Sequence, residues 1–107
     1  MTEAAVSHAK MESLGSGRFR IAGVLDGATV GPLLKQSEGR FVNQPTLEVD
    51  LANVSDADSA GLALLIEWLR IAKDAKQQLQ FSNVPEQISA LARISEVDDL
   101  LFAAEVK

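Results

Sequence analysis

Residues 56–70 read DADSAGLALLIEWLR, and this stretch decides the fold. Asp58 or Ser59 can cap a helix, because either side chain accepts a hydrogen bond from the free N–H groups of a first helical turn. The residues that follow are nearly all apolar and include Trp68, the only tryptophan of the chain. The pattern predicts a long helix over residues 59–76.

The predicted helix is apolar over about two-thirds of its circumference when its residues are placed 100° apart. A helix that lies on a sheet needs an apolar stripe of only about 100°. Two explanations for the excess remain open. Neighbouring helices cover both sides, or the side formed by Leu64, Trp68 and Ile71 belongs to a partner-binding surface, since exposed Trp and aliphatic residues are typical of interface hot spots.

The segment before this helix predicts two strands, a short helix and a third strand. Residues 10–27 predict a hairpin around the turn sequence GSG. Residues 28–41 have apolar residues at helical spacing, and Gly39 is expected to stop that helix. Residues 45–55 alternate apolar and acidic side chains, which predicts a half-buried strand.

The segment after the long helix continues the alternation. Residues 79–84 predict a short strand. Residues 83–94 predict a helix in which Asn83 and Glu86 have the spacing of a capping box. Residues 95–107 predict a short helix or turn followed by a last strand.

Strands that alternate with helices predict an α/β or α+β fold in which three to four helices pack on a sheet of four to five strands. Residues 1–8 are small and polar without periodicity, which predicts a disordered tail that holds the lone His8. Residues 9–107 are then expected to form a single domain.

Composition excludes several classes of function. The net charge of −5 is unfavourable for a nucleic-acid surface, and the absence of cysteine excludes thiolate metal sites and cysteine nucleophiles. The longest apolar run, 61–69, is about half a membrane span, and the first residues lack a signal-peptide pattern, so a cytoplasmic protein is expected. The carboxylates near the helix start are typical of caps, and no metal, cofactor or catalytic residue is predicted.

Residues 50–94 resemble the central part of STAS domains, the fold shared by anti-sigma-factor antagonists and parts of anion transporters. In that family a strand ends in Asp-Leu, and a turn leads to an Asp-Ser/Thr-x-Gly-Leu motif that opens a helix. The matching residues of this chain are Asp58, Ser59, Ala60, Gly61 and Leu62. The resemblance implies an α/β, STAS-like fold with a mixed sheet of four to five strands and three to four helices packed on it.

Within the family the chain looks closest to the MlaB type. That resemblance implies a non-enzymatic cytoplasmic subunit that binds and supports an MlaF-like ATPase. The ATPase would belong to an ABC transporter with permease and substrate-binding subunits, which traffics phospholipid and maintains outer-membrane lipid asymmetry. The subunit would then be held at the inner membrane by its partners.

Two departures from the family pattern leave alternatives open. The turn after the long helix usually carries Gly, and here it reads Lys76, Gln77 and Gln78. The hydroxyl residue of the motif is Ser59, as in the phosphorylated sigma-regulator branch. The second function is therefore an anti-sigma-factor antagonist that binds a kinase-type anti-sigma factor and is controlled by phosphorylation of Ser59. A small-ligand or anion sensor is a third, supported by the fold alone.

The site prediction centres on the start of the long helix. Ser59 is predicted to contact the partner and is the candidate phosphorylation site. The other predicted partner-binding residues are Asp56, Asp58, Ala60, Gly61, Leu64 and Trp68.

Overall fold

The computed structural model describes residues 9–104, and within them four strands and four helices alternate as the α/β prediction requires. In chain order they are β1 (Ala9–Gly15), β2 (Arg18–Leu25), α1 (Val30–Arg40), β3 (Thr46–Ala57), α2 (Ser59–Asp74), β4 (Gln78–Ser82), α3 (Glu86–Ile94) and α4 (Asp98–Ala103). The predicted tail over 1–8 and the last residues of the predicted final strand, 105–107, lie outside the described residues.

The sheet is mixed and has the strand order β1-β2-β3-β4. β1 and β2 form the predicted antiparallel hairpin, whereas β3 pairs in parallel with β2 on one side and with β4 on the other. Gly17 ends the hairpin turn with a φ of 78°, and a Cβ at this position would stand 2.3 Å from the Thr46 carbonyl oxygen. Only glycine satisfies both the conformation and the close approach of the turn to β3.

The helices cover one face of this sheet. Alternate residues of the strands point their side chains into the core. In β2, β3 and β4 these buried residues are Phe19, Ile21, Leu47, Val49, Leu51, Leu79 and Phe81. The residues between them are largely polar and face away from the helices. Because strand side chains alternate with a period of two, one side of the sheet is apolar and the other faces solvent.

The unusually apolar circumference of α2 is explained by packing inside the chain. α1 contacts α2 on one side and α3 contacts it on the other. Leu64 is 3% exposed and Trp68 is 1% exposed. The prediction that these two side chains form part of a partner surface is therefore wrong, because neighbouring helices cover both sides of α2.

Trp68 carries the polar contact at the centre of this packing. Its Nε1–H donates a hydrogen bond of 2.8 Å to Ser37 Oγ, and the Ser37 hydroxyl donates to the Leu34 carbonyl oxygen at 2.6 Å. The Phe41 ring lies between Phe19 and Trp68, at centroid distances of 5.1 and 5.6 Å. A buried indole N–H needs an acceptor, so Ser37 satisfies the one polar atom that Trp68 brings into the core.

Gly61 allows α2 to begin close to the sheet. A Cβ on this residue would stand 3.0 Å from Leu25 Cβ and 3.4 Å from Ala57 Cβ. Leu25 is fully buried at the end of β2 and Ala57 ends β3, so neither has room to withdraw. The glycine therefore sets the distance between the first turn of α2 and the ends of two strands.

Two details of the helix ends differ from prediction. α1 runs through Gly39 and ends after Arg40. This exposed glycine therefore lies within the helix and does not end it. The predicted capping box of α3 is absent from the structure. Pro85 is the N-cap, the Asn83 amide donates to Asp50 instead, and the Glu86 carboxylate accepts a hydrogen bond from Arg93.

Removing the acceptor of the Trp68 N–H should destabilise the fold. We expect Ser37→Ala to lower the free energy of unfolding by about 2 kcal/mol, because a buried donor left without a partner costs roughly 1–3 kcal/mol. In a double-mutant cycle with Trp68→Phe, the double variant should lose about 1 kcal/mol less than the sum of the single losses. Urea unfolding measures all four proteins, and strictly additive losses would contradict the assigned hydrogen bond.

Glycine to alanine should have opposite effects in the two helices. Gly61→Ala should lower the free energy of unfolding by about 1 kcal/mol, because the added methyl is forced against Leu25. Gly39→Ala is the matched control, since nothing lies within 4 Å of its added Cβ. That variant should gain about 0.5–1 kcal/mol from helix propensity. A stabilised Gly61→Ala would show that α2 does not need the close approach.

Candidate functional site

The turn from β3 into α2 is held by Asp58. Its Oδ1 accepts a hydrogen bond of 2.8 Å from the Ala60 N–H, which makes Asp58 the N-cap of the helix. Its own backbone N–H donates to the Leu25 carbonyl oxygen at 3.1 Å and ties the turn to the end of β2. Of the two predicted caps, the structure selects Asp58.

Ser59 is the first residue of α2, and its side chain is exposed. The rest of the motif is accounted for by folding. Asp58 caps the helix, Gly61 permits its close approach to the sheet, and Leu62 lies in the core. Ala60, half-buried, contributes the capped N–H. Within residues 9–104, the hydroxyl of Ser59 makes none of the hydrogen bonds that hold this turn.

Asp56 connects this turn to the neighbouring helix. Its Oδ1 accepts hydrogen bonds from the Ala57 N–H at 2.9 Å and from Gln87 Nε2 at 3.0 Å. Gln87 lies in the first turn of α3 and is exposed. The exposed surface around Ser59 therefore includes the start of α3 as well as the start of α2.

The predicted site residues fall into two groups. Asp56, Asp58 and Ser59 are exposed and adjacent at one end of α2, with Ala60 half-buried beside them. Gly61, like Leu64 and Trp68, is buried and unavailable to a partner. We call the exposed group, Asp56, Asp58, Ser59 and Gln87, the α2-start surface. Gln87 was missed because only the tertiary structure brings it beside Asp56, across 31 positions of the sequence.

A second polar group lies on the open face of the sheet. Asp50 accepts hydrogen bonds of 2.9 Å from the Asn83 amide and from the Ala52 N–H, and Arg20 Nε stands 3.8 Å from its other oxygen. The Asn83 hydrogen bond, with help from Ala52 and Arg20, holds the pKa of Asp50 below its ordinary value although partial burial opposes this. These contacts join β2, β3 and the end of β4, which is a structural role.

The described residues contain little that points to metal binding or membrane crossing. Over residues 9–104, no group of three or more His, Cys, Asp or Glu side chains is arranged to hold a metal ion. In the same part of the chain, no helix combines the length and the apolar character needed to cross a bilayer. The α2-start surface instead offers one hydroxyl, two carboxylates and an amide for short polar contacts.

Comparison with known proteins agrees with this geometry. The family model described as "MlaB, STAS domain" matches residues 8–102. No curated protein sequence matches the chain significantly. Among solved structures, the anti-sigma factor antagonist SpoIIAA in its unphosphorylated form is similar with a TM-score of 0.67 and 18% sequence identity, over 92% of this chain and 85% of that one. The matched fold and the family model together show that the chain belongs to the MlaB family of STAS domains.

Proposed function

We propose that this protein is a non-enzymatic interaction subunit that binds and supports the MlaF-like ATPase of a phospholipid-transport ABC complex. The exposed Ser59 hydroxyl at the start of α2 is the observation that carries the proposal. Membership of the MlaB family supports the transport branch. STAS domains generally act as regulatory or interaction domains, which supports a function through a partner protein.

The α2-start surface is suited to docking because it is already rigid. Asp58 is bonded to both Leu25 and Ala60, and Asp56 is bonded to Gln87. A preorganised surface loses little conformational entropy when a partner binds. The Ser59 hydroxyl can donate one hydrogen bond and accept others, so it can pair with a polar group of the partner that would otherwise be buried unsatisfied.

The proposed location follows from the proposed partner. The permease of such a transporter lies in the inner membrane, and its ATPase binds on the cytoplasmic side. The subunit would therefore be cytoplasmic and peripheral to the membrane through the ATPase.

An anti-sigma-factor antagonist is the second candidate. The similarity to SpoIIAA shows the fold alone. The exposed hydroxyl of Ser59 in this chain is accessible to phosphorylation, which is the observation that favours this second function. A phosphate on Ser59 would add up to about two negative charges beside Asp56 and Asp58. The Asp58 carboxylate already occupies the Ala60 N–H, so the helix start offers the phosphate little compensation. Because Ser59 is exposed, phosphorylation would leave the fold intact. The added charge would weaken an interface from which water is excluded.

Substitution of Ser59 tests the interface. Ser59→Glu should weaken binding to the purified ATPase subunit at least tenfold, because it buries an extra charge next to two carboxylates. Ser59→Ala should cost only about fivefold, the value of one hydrogen bond. Ser13→Glu, an exposed serine on β1, is the matched control and should bind normally. Isothermal titration calorimetry gives the affinities, and circular dichroism shows that each variant is folded.

Two outcomes decide between the candidates. If Ser59→Glu binds the ATPase as tightly as the unmodified protein, Ser59 is not in the interface. If the protein binds a kinase-type anti-sigma factor and not the ATPase, the transport function is wrong and the sigma-regulator function is supported. Affinity capture from the native cell, with the retained proteins identified by mass, provides this second result.

A further inference from the structure

A cavity of about 650 Å³ opens at the opposite end of α2 from Ser59. Its walls are the end of α1, the connection from α1 to β3, and the last turn of α2. The residues that line it include Phe41, Val42, Trp68, Ile71, Ala75 and Lys76. The volume lies within the roughly 300–1,000 Å³ typical of small-molecule sites.

Gln77 keeps the frame of the cavity in place. Its Nε2 donates to two carbonyl oxygens of the α1–β3 connection, that of Phe41 at 2.6 Å and that of Gln44 at 2.8 Å. The Gln77 amide therefore holds two points of this connection, Phe41 and Gln44, close to the end of α2. Because the frame is held by these bonds and not by an occupant, the cavity is preformed.

The interior of the cavity favours an apolar occupant. Phe41 and Trp68 form the floor, with most of each ring packed in the core, and Ile71 is half-buried beside them. The polar atom of the floor, Trp68 Nε1, is already paired with Ser37. Val42 remains 54% exposed at the edge, one of the few large apolar side chains so exposed in the described chain. An apolar body placed here would cover Val42 without leaving a polar group unsatisfied.

Lys76 lines the cavity and brings a positive charge to its mouth. It has a φ of 59° in the turn that ends α2, where the Gln77 N–H donates to the Ala72 carbonyl oxygen at 2.8 Å. That turn geometry favours glycine, so the lysine adopts an unfavourable backbone conformation here. Among the described residues, no carboxylate stands within 4.0 Å of its ammonium group.

Glu38 lies on the α1 side of the cavity and is the only carboxylate among the lining residues. It is exposed on the surface of α1. The negative charge of Glu38 would partly repel an anionic ligand. Replacing Glu38 or Lys76 therefore measures how much each contributes to the preference of the site for an anion or a cation.

We propose that this cavity binds a small amphipathic anion, with an apolar body against Phe41, Val42 and Ile71 and its negative group at Lys76. The site is independent of the α2-start surface and does not rest on the proposed partner. In this site Lys76 supplies the charge at the mouth and Gln77 holds the wall.

Three eight-carbon probes with different head groups test the ligand class. Octanoate, octanol and octylammonium are titrated into the ¹⁵N-labelled full chain, and the indole N–H signal of Trp68, the only tryptophan, reports binding at the cavity floor. Octanoate should shift this signal saturably and bind about three- to fivefold more tightly than octanol, the range of an exposed ion pair. Octylammonium should bind more weakly than octanol.

Variants with matched controls locate the site. Lys76→Gln should reduce octanoate affinity to that of octanol, whereas Lys73→Gln, in the last turn of α2 and outside the lining, should not. Glu38→Gln should strengthen octanoate binding about twofold. Ala75→Phe should fill the cavity and weaken all probes at least tenfold, and Ala63→Phe, an exposed alanine near the other end of α2, should leave them unchanged.

Three results would overturn the proposal. The first is the absence of a saturable Trp68 shift with octanoate up to its solubility limit in folded protein. The second is octanoate binding that Ala75→Phe leaves intact, which would place the probe elsewhere. The third is equal or tighter binding of octylammonium, which would show that Glu38 sets the charge preference. None of these results affects ATPase binding through Ser59, so the two proposals fail separately.

Discussion

The contact of Gly61 with Leu25 and Ala57 is the constraint on which the rest of the structure depends. It lets the first turn of α2 lie against the ends of β2 and β3 with no side chain between them. Asp58 completes the junction, because its N–H bonds to β2 while its carboxylate caps the helix. With its start fixed, α2 lies along the apolar face of the sheet, and α1 and α3 pack on its two sides.

The same helix then carries a second anchor farther along. Trp68 donates a hydrogen bond to Ser37 on α1 and packs at a tilt against Phe41, so both a hydrogen bond and aromatic packing hold α2 to α1 and its C-terminal end. The end of α1 and the connection to β3 are consequently placed beside the last turn of α2. Gln77 closes this arrangement by bonding the connection. The cavity is a geometric result of these anchors.

α2 thus separates two different surfaces. Its 16 residues span roughly 24 Å. One end presents Ser59 among short polar side chains, and the other frames an apolar cavity with Lys76 at its mouth. The first suits a protein partner, because it is exposed and polar and its carboxylates are hydrogen-bonded to neighbouring residues. The second suits a small molecule, because it is concave and largely apolar. One well-packed helix holds both in fixed relation to the sheet.

Much of this protein could be predicted from local sequence patterns. The order of strands and helices along the chain and the start of α2 follow from periodicity and capping chemistry, both of which act over a few residues. Their physical causes, backbone hydrogen bonding and the burial of alternating side chains, are local, so they can be read without a structure.

Only the tertiary structure decided which apolar residues of α2 are buried. A helical wheel shows that Trp68 and Leu64 need cover, but not whether α1, α3 or a partner supplies it. It likewise could not place Gln87 beside Asp56, pair Asn83 with Asp50 in place of a cap, or bring Gln77 to the α1–β3 connection. These contacts join residues more than 30 positions apart, and their partners are set by how the helices pack on the sheet rather than by any local pattern.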